Sequence, residues 1–163
     1  MRKSWLAALA LVGVSTPTLA ADPNGDWLVA TKSAVIRIAP CGDALCGNIA
    51  WTKGPAGNDK NNPDPAKRNR PVLGLTILNN MKPVAQNRWE GEIYNAQDGN
   101  TYSGSIALAG DNVLRIEGCV LGFLCGGQDW SRAKCDQTPA VTTGARNAAT
   151  PMPTLSGCRP AAR

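Results

Sequence analysis

The 163-residue chain contains no His and six Cys, and these two counts bound its chemistry. Without imidazole there is no Ser-His-Asp triad, no Cys-His dyad and no His-ligated zinc. The cysteines stand at 41, 46, 119, 125, 135 and 158. Their C-x4-C and C-x5-C spacings differ from the C-x2-C of thiolate zinc sites. An even set of Cys in an exported chain reads as disulfides. The carboxylates offer little catalysis. Glu90 and Glu92 share one face, as a glycosidase pair could, but the alternation around them turns that face to solvent. No Ser sits in a Gly-x-Ser-x-Gly elbow. The stretch Gly42 to Gly47 lacks the Lys and the following helix of a phosphate-binding loop. Asp59, Asn61 and Asp64 supply hard oxygens. Counted from Asp59, however, Asp64 and Arg70 stand where a calcium loop needs Gly and Glu. Asx-turns that order the segment are the expected role. The residues therefore describe a protein that is not an enzyme and that uses neither metal nor cofactor. Lys67, Arg68 and Arg70 form the basic cluster, a candidate anion contact.

The ends of the chain narrow the partners. Arg2 and Lys3 precede an apolar run from Leu6 to Val14, then Pro17 and Thr18-Leu19-Ala20. This is the layout of a secretory signal peptide over 1–20, cut after Ala20. The run is too short to cross ~30 Å of hydrocarbon, and no second long apolar stretch follows, so no membrane span is expected. The protein should be periplasmic or secreted. The formal charge is +5, but much of the excess lies in Arg2 and Lys3 and in Arg146, Arg159 and Arg163 of the last segment. A nucleic-acid binder concentrates basic charge on its folded face, so no nucleic-acid partner is expected. Residues 136–163 are rich in Pro, Thr and Ala and carry no aromatic residue. They cannot bury enough apolar area to offset chain entropy. An irregular or disordered tail is expected there, tied back where Cys158 allows.

The intervening domain, 21–135, must position whatever site exists. Period-two alternation with turn punctuation predicts strands at 26–31, 34–39, 47–52, 72–79, 88–95, 101–109, 113–118 and 129–133. Asp98-Gly99 and Gly110-Asp111-Asn112 are tight turns. The fold class is all-β. About eight strands in an antiparallel up-and-down meander can close into a small barrel without free edges, with a sandwich as the alternative. The inner face should carry Ile36 and Ile38, Ile49 and Trp51, Leu73, Leu75 and Ile77, Trp89 and Ile93, Tyr102, Ile106 and Leu108, Leu114 and Ile116. In a closed meander successive connections alternate between the two ends. Trp27 on the first strand and Arg132 on the last then meet at one end, a guanidinium over an indole. These are structural residues that close the barrel.

Gly25-Asp26-Trp27 together with Arg132 resembles the lipocalin-type (calycin) arrangement, in which a first-strand Gly-x-Trp is covered by a last-strand Arg. A second resemblance covers most of 25–133. Its segments, in order, are Pro40-Cys41-Gly42, Leu45-Cys46-Gly47, Asn61-Asn62-Pro63-Asp64, Leu73-Gly74-Leu75, Trp89-Glu90-Gly91, Asp98-Gly99-Asn100-Thr101-Tyr102, Gly118-Cys119, Leu124-Cys125 and Trp130-Ser131-Arg132. This set is similar to domain of unknown function 2147, a family of secreted bacterial proteins. The resemblance implies export and a lipocalin-like β domain, and no established activity. Cys135 and Cys158 depart from it.

The barrel ends also set the disulfides. Cys41 and Cys46 bracket a connection at the Trp27 end, and Cys119 and Cys125 bracket one at the opposite mouth. Bridging the two ends would need Cα atoms within about 7 Å, which a barrel does not permit. The expected bridges are Cys41–Cys46 and Cys119–Cys125, leaving Cys135–Cys158 to pin the tail. The long connection 53–71 falls at the mouth. Inner-face residues nearest to it are Trp51, Leu73, Ile93, Tyr102 and Ile116, with Gln128 just before the last strand and Arg68 and Arg70 on the loop. An apolar lining with a few polar groups is where small ligands bind, so these residues are the candidate site for a small, largely apolar ligand. The alternative is a barrel filled by its own side chains. It would engage an envelope protein or polymer through its loops, with Leu121, Phe123 and Leu124 as an apolar patch.

Overall fold

The computed structural model describes residues 22–120, 123–136 and 156–160, with residues 135–136 and 156–160 described by backbone alone. Nine strands follow one another: β1 (Gly25–Leu28), β2 (Ala34–Cys41), β3 (Ala44–Thr52), β4 (Thr76–Ala85), β5 (Arg88–Asn95), β6 (Asn100–Leu108), β7 (Val113–Val120), β8 (Leu124–Asp136) and β9 (Ser156–Pro160). Each pairs antiparallel with the next, and β1 also pairs with β8. That last pairing closes β1–β8 into the expected barrel and removes the free edges of the meander. The sandwich is thereby set aside. A 3-10 turn, Pro65–Lys67, lies in the connection between β3 and β4. Among the described residues no helix is long and apolar enough to cross a membrane.

Alternation explains most of the interior. Trp27, Ile36, Ile38, Leu78, Met81, Ile106 and Leu114 are essentially inaccessible to solvent, and all belong to one core cluster. Glu90 and Glu92 are exposed on the outer face, as their parity requires.

Two local irregularities move residues from their expected places. Trp51 is not on the inner face. The β2–β3 register pairs Val35 with Trp51 but Ile36 with Ile49, so Ala50 is an extra residue in β3. One extra residue in a two-residue repeat sends everything beyond it to the other face. Trp51 therefore packs outside, with Leu28, Val35 and Ala133. The fourth strand starts at Thr76, not at residue 72. Gly74 has φ +86°, and Gly74 N–H donates to Ile49 O while Ile49 N–H donates to Leu75 O. Val72–Leu75 is thus a docked loop end. The strand then continues to Ala85, beyond Asn80 at φ +51° and a register shift against β5. This shift places Leu78 and Met81, three residues apart, in the same core. Leu73 only packs against that core from its margin.

β8 is longer than the expected 129–133 because Gly126-Gly127 hides its beginning: glycine carries no alternation. Within the segment read as irregular, Ser156–Pro160 pairs with β8 and sets Cys158 opposite Cys135. The side chains of that expected pair lie outside the described residues, as do residues 1–20 and the rest of the tail. The other two bridges are present, Cys41–Cys46 with Cα atoms 5.7 Å apart and Cys119–Cys125 at 4.0 Å.

Candidate functional site

One end of the barrel is plugged. Trp27 sits opposite Arg132 in the β1–β8 register, and the guanidinium carbon lies 4.2 Å from the indole centroid. Arg132 donates from Nε to Asp111 O (2.7 Å), from Nη1 to Asn24 O (2.8 Å) and from Nη2 to Asp22 O (3.0 Å). Trp27 Nε1 donates to Pro23 O at 2.8 Å. The segment before β1 is thereby drawn across the end. Gly25 is required for this, because it stands at φ +119° and a Cβ there would lie 3.0 Å from Arg132 Nη1.

The opposite end is open. Above the plug is a cavity of about 400 Å³ whose apolar lining includes Val29, Ile36, Ile49, Val72, Ile77, Ile93, Ile116 and Trp130. A second concavity of about 510 Å³ adjoins it, lined by Ile93, Tyr102, Ile116, Val120, Leu124 and Gln128 among others. Both are bordered by Ile93, Asn95, Gln97, Ile116 and Gln128, so the two adjoin at this end of the barrel. The second concavity has a sequence cause. The registers align Gly91, Gly104, Gly118 and Gly126 across β5 to β8. Gly118 and Gly126 border the second concavity and supply no side chain to fill it, whereas a Cβ on Gly91 would meet the backbone of Asn79 and Asn80 and one on Gly104 would meet Glu117 O and Ile93.

Four of the expected site residues come together here. Ile93, Ile116 and Gln128 border both concavities and Tyr102 borders the second. Leu73 borders neither, and Trp51 is outside for the reason given above. Arg68 and Arg70 are occupied in holding the β3–β4 connection. Arg68 Nε donates to Asn62 O at 2.7 Å. Arg70 donates from Nε to Asp59 Oδ2 at 2.8 Å, and its guanidinium carbon is 5.6 Å from the Tyr94 ring centroid. Arg70 also borders a separate polar groove with Asp64, Lys67, Glu92 and Tyr94 on the outside of the barrel.

The network around Asp59 was not legible as such. Asp59 is fully buried. Its carboxylate accepts from Tyr94 Oη (2.6 Å), Asn62 Nδ2 (2.8 Å) and Arg70. Burial pushes this carboxyl's pKa up, but the hydrogen bonds from Tyr94, Asn62 and Arg70 together outweigh it, and the pKa is lowered. Tyr94 is raised by burial and by Asp59. The expected Asx-turns are present: Asn62 Oδ1 accepts from Asp64 N and Asp64 Oδ1 from Ala66 N. The loop is further clamped to the β5–β6 turn. Asn61 Nδ2 donates to Gln97 O at 2.7 Å, and a Cβ on Gly99 would collide with Asn61 O. The long connection is thereby clamped to the barrel, and its residues 62–64, 67 and 70 border the outer groove rather than the two concavities of the mouth. The only sequence signal for this was the density of Asn and Asp in a loop without other purpose.

The hairpin between β7 and β8 forms the other rim. Val120, Phe123 and Leu124 are 47%, 72% and 60% exposed. Leu121, expected in the same patch, lies outside the described residues.

The family described as "Uncharacterized protein conserved in bacteria (DUF2147)" matches residues 25–132. No curated protein matches the sequence. Among solved structures, the chain is similar to protein HP1028 of Helicobacter pylori, described as belonging to the lipocalin family. The TM-score is 0.63 at 22% identity, covering 69% of this chain and 83% of that one.

Proposed function

The chain belongs to the DUF2147 family and folds as a lipocalin-like, disulfide-bearing barrel, and from that premise we propose that it binds a small, largely apolar molecule at the open end. The observation that carries this reading is the apolar cavity of about 400 Å³ above a plugged floor. Clefts of this size with apolar walls and a few polar groups suit small molecules. Ile93, Ile116 and Tyr102 would contact the ligand, with Gln128 at the rim. The paired cysteines suit an oxidising compartment, which supports a periplasmic or secreted location for the working protein.

The test is native mass spectrometry on oxidised protein before and after organic extraction, followed by titration with an environment-sensitive apolar fluorophore. A discrete adduct lost on extraction, or saturable uptake of the fluorophore, is the expected result. A bare mass together with no fluorophore uptake would overturn the reading. The exposed Val120, Phe123 and Leu124 tip favours a second reading, in which the loops engage an envelope protein or polymer. That reading would then take precedence.

A further inference from the structure

We propose that the β7–β8 hairpin docks the barrel, open end first, onto an anionic lipid bilayer, with Phe123 and Leu124 entering the boundary between headgroups and acyl chains. The hairpin stands clear of its neighbours. The pairing of β6 with β7 reaches only to Ser103 opposite Cys119, and β1 meets β8 no nearer the tip than Leu28 opposite Ser131. Val120, Phe123 and Leu124 are exposed beyond those pairings. The tip is also held in shape. Cys119–Cys125 staples its two arms, and Phe123 N–H donates to Val120 O at 3.4 Å. Its composition selects the partner. From Gly118 to Gly127 the chain has no charged, hydroxyl or amide side chain. A protein interface surrounds its apolar anchors with a polar, hydrogen-bonding rim, and a glycan polymer needs hydrogen-bonding side chains. A tip that offers only apolar side chains matches the acyl boundary of a bilayer instead.

The charge around the mouth supplies the sign of the surface. The connections that share this end of the meander are 29–33, 53–75 and 96–99. Lys32, Lys53, Lys60 and Arg68 in them are exposed and, among the described residues, enter no ion pair. Of the carboxylates there, Asp59 and Asp64 are paired with Arg70 and Lys67, which leaves Asp98. These connections therefore keep an excess of positive charge. The connections at the plugged end, 42–43, 86–87 and 109–112, carry Asp43 and Asp111 and no Lys or Arg. Exposed Lys and Arg are drawn to an anionic headgroup layer within about a Debye length of it. Val120 and Leu124 also border the second concavity, so docking by the tip sets the apolar mouth against the bilayer.

The experiment uses the oxidised protein, purified after export, and co-sedimentation with two kinds of vesicle: phosphatidylcholine alone, and equal parts phosphatidylcholine and phosphatidylglycerol. The wild type should bind the mixed vesicles at low salt, bind the neutral ones more weakly, and lose affinity as salt is raised. Phe123→Ser should weaken binding to the mixed vesicles about tenfold, in line with one aromatic side chain withdrawn from an apolar layer. Lys53→Gln combined with Lys60→Gln should weaken it by about tenfold or more, as expected for two cations near a charged surface. A direct readout of insertion is Phe123→Trp, whose fluorescence should be quenched by brominated lipid beyond the quenching seen in the wild type. No binding to the mixed vesicles, binding unchanged in Phe123→Ser, or no added quenching in Phe123→Trp would overturn the docking and return the tip to a protein or polymer contact. Equal binding to both kinds of vesicle would overturn the anionic surface. Phe123 borders neither concavity, so Phe123→Ser should take up the apolar fluorophore as the wild type does. Fluorophore uptake without vesicle binding would overturn this proposal and leave the binding reading standing, and vesicle binding without uptake would do the reverse.

Discussion

At the scale of single residues, the two tryptophans Trp27 and Trp51 show how much depends on which way a side chain faces. Trp27 is fully inaccessible and roofed by Arg132. Trp51 is half-buried on the outer face. Trp27→Ala should therefore cost about 3–5 kcal/mol and Trp51→Ala clearly less, measured by urea unfolding. The reverse order would show that the plug is misassigned. Asp59 gives a second residue-scale expectation. Its folded pKa lies below the ordinary carboxylate value, so ionisation of Asp59 stabilises the fold. That contribution is fully present above about pH 4 and is lost as pH falls through the lower folded value. Asp59→Asn should destabilise at neutral pH and flatten the acid limb of a melting-temperature profile. An unchanged acid limb would show that other carboxylates govern it.

Elements set the shape of the mouth. At the β7–β8 end of the glycine row, Gly118 and Gly126 withhold side chains from the second concavity. Gly118 is the position where this can be tested gently, since a Cβ there would meet Tyr102 at an ordinary 3.6 Å. Gly118→Leu should leave the fold intact by circular dichroism and reduce fluophore-type apolar probe binding by about tenfold or more, by occupying the second concavity. Retained binding would place the ligand elsewhere. The β7–β8 hairpin that carries the exposed rim is stapled by Cys119–Cys125. Replacing both cysteines by Ser should cost about 2–3 kcal/mol; a negligible loss in thermal unfolding would show that the strand pairing alone holds the rim.

For the whole molecule, closure decides where chain ends can go. The β1–β8 pairing completes the barrel, and β9 extends from the overhanging part of β8. The register opposing Cys135 and Cys158 gives the expectation that non-reducing peptide mapping finds these two linked, alongside Cys41–Cys46 and Cys119–Cys125. A Cys135 or Cys158 peptide linked to any other cysteine would contradict the register.

Much of this architecture can be read from residue order alone. Period-two alternation in Arg88–Asn95, Asn100–Leu108 and Val113–Val120 specifies strands with one wet face, because each side chain's face follows from its parity. Meander connectivity then brings Trp27 to Arg132 and keeps the two short-range disulfides at opposite ends. Parity fails, however, wherever the repeat gains a residue. The extra Ala50 in β3 turned Trp51 outward, and the shift in β4 put Leu78 and Met81 in place of Leu73. Such a bulge is a choice made by the partner strand's register, which no local pattern encodes. The Asp59–Asn62–Arg70–Tyr94 network likewise joins a loop to a distant strand, and only closure of the barrel brings them together. The second concavity depends on both levels. Gly118 and Gly126 are in the sequence, but their placement side by side is a property of the β7–β8 register.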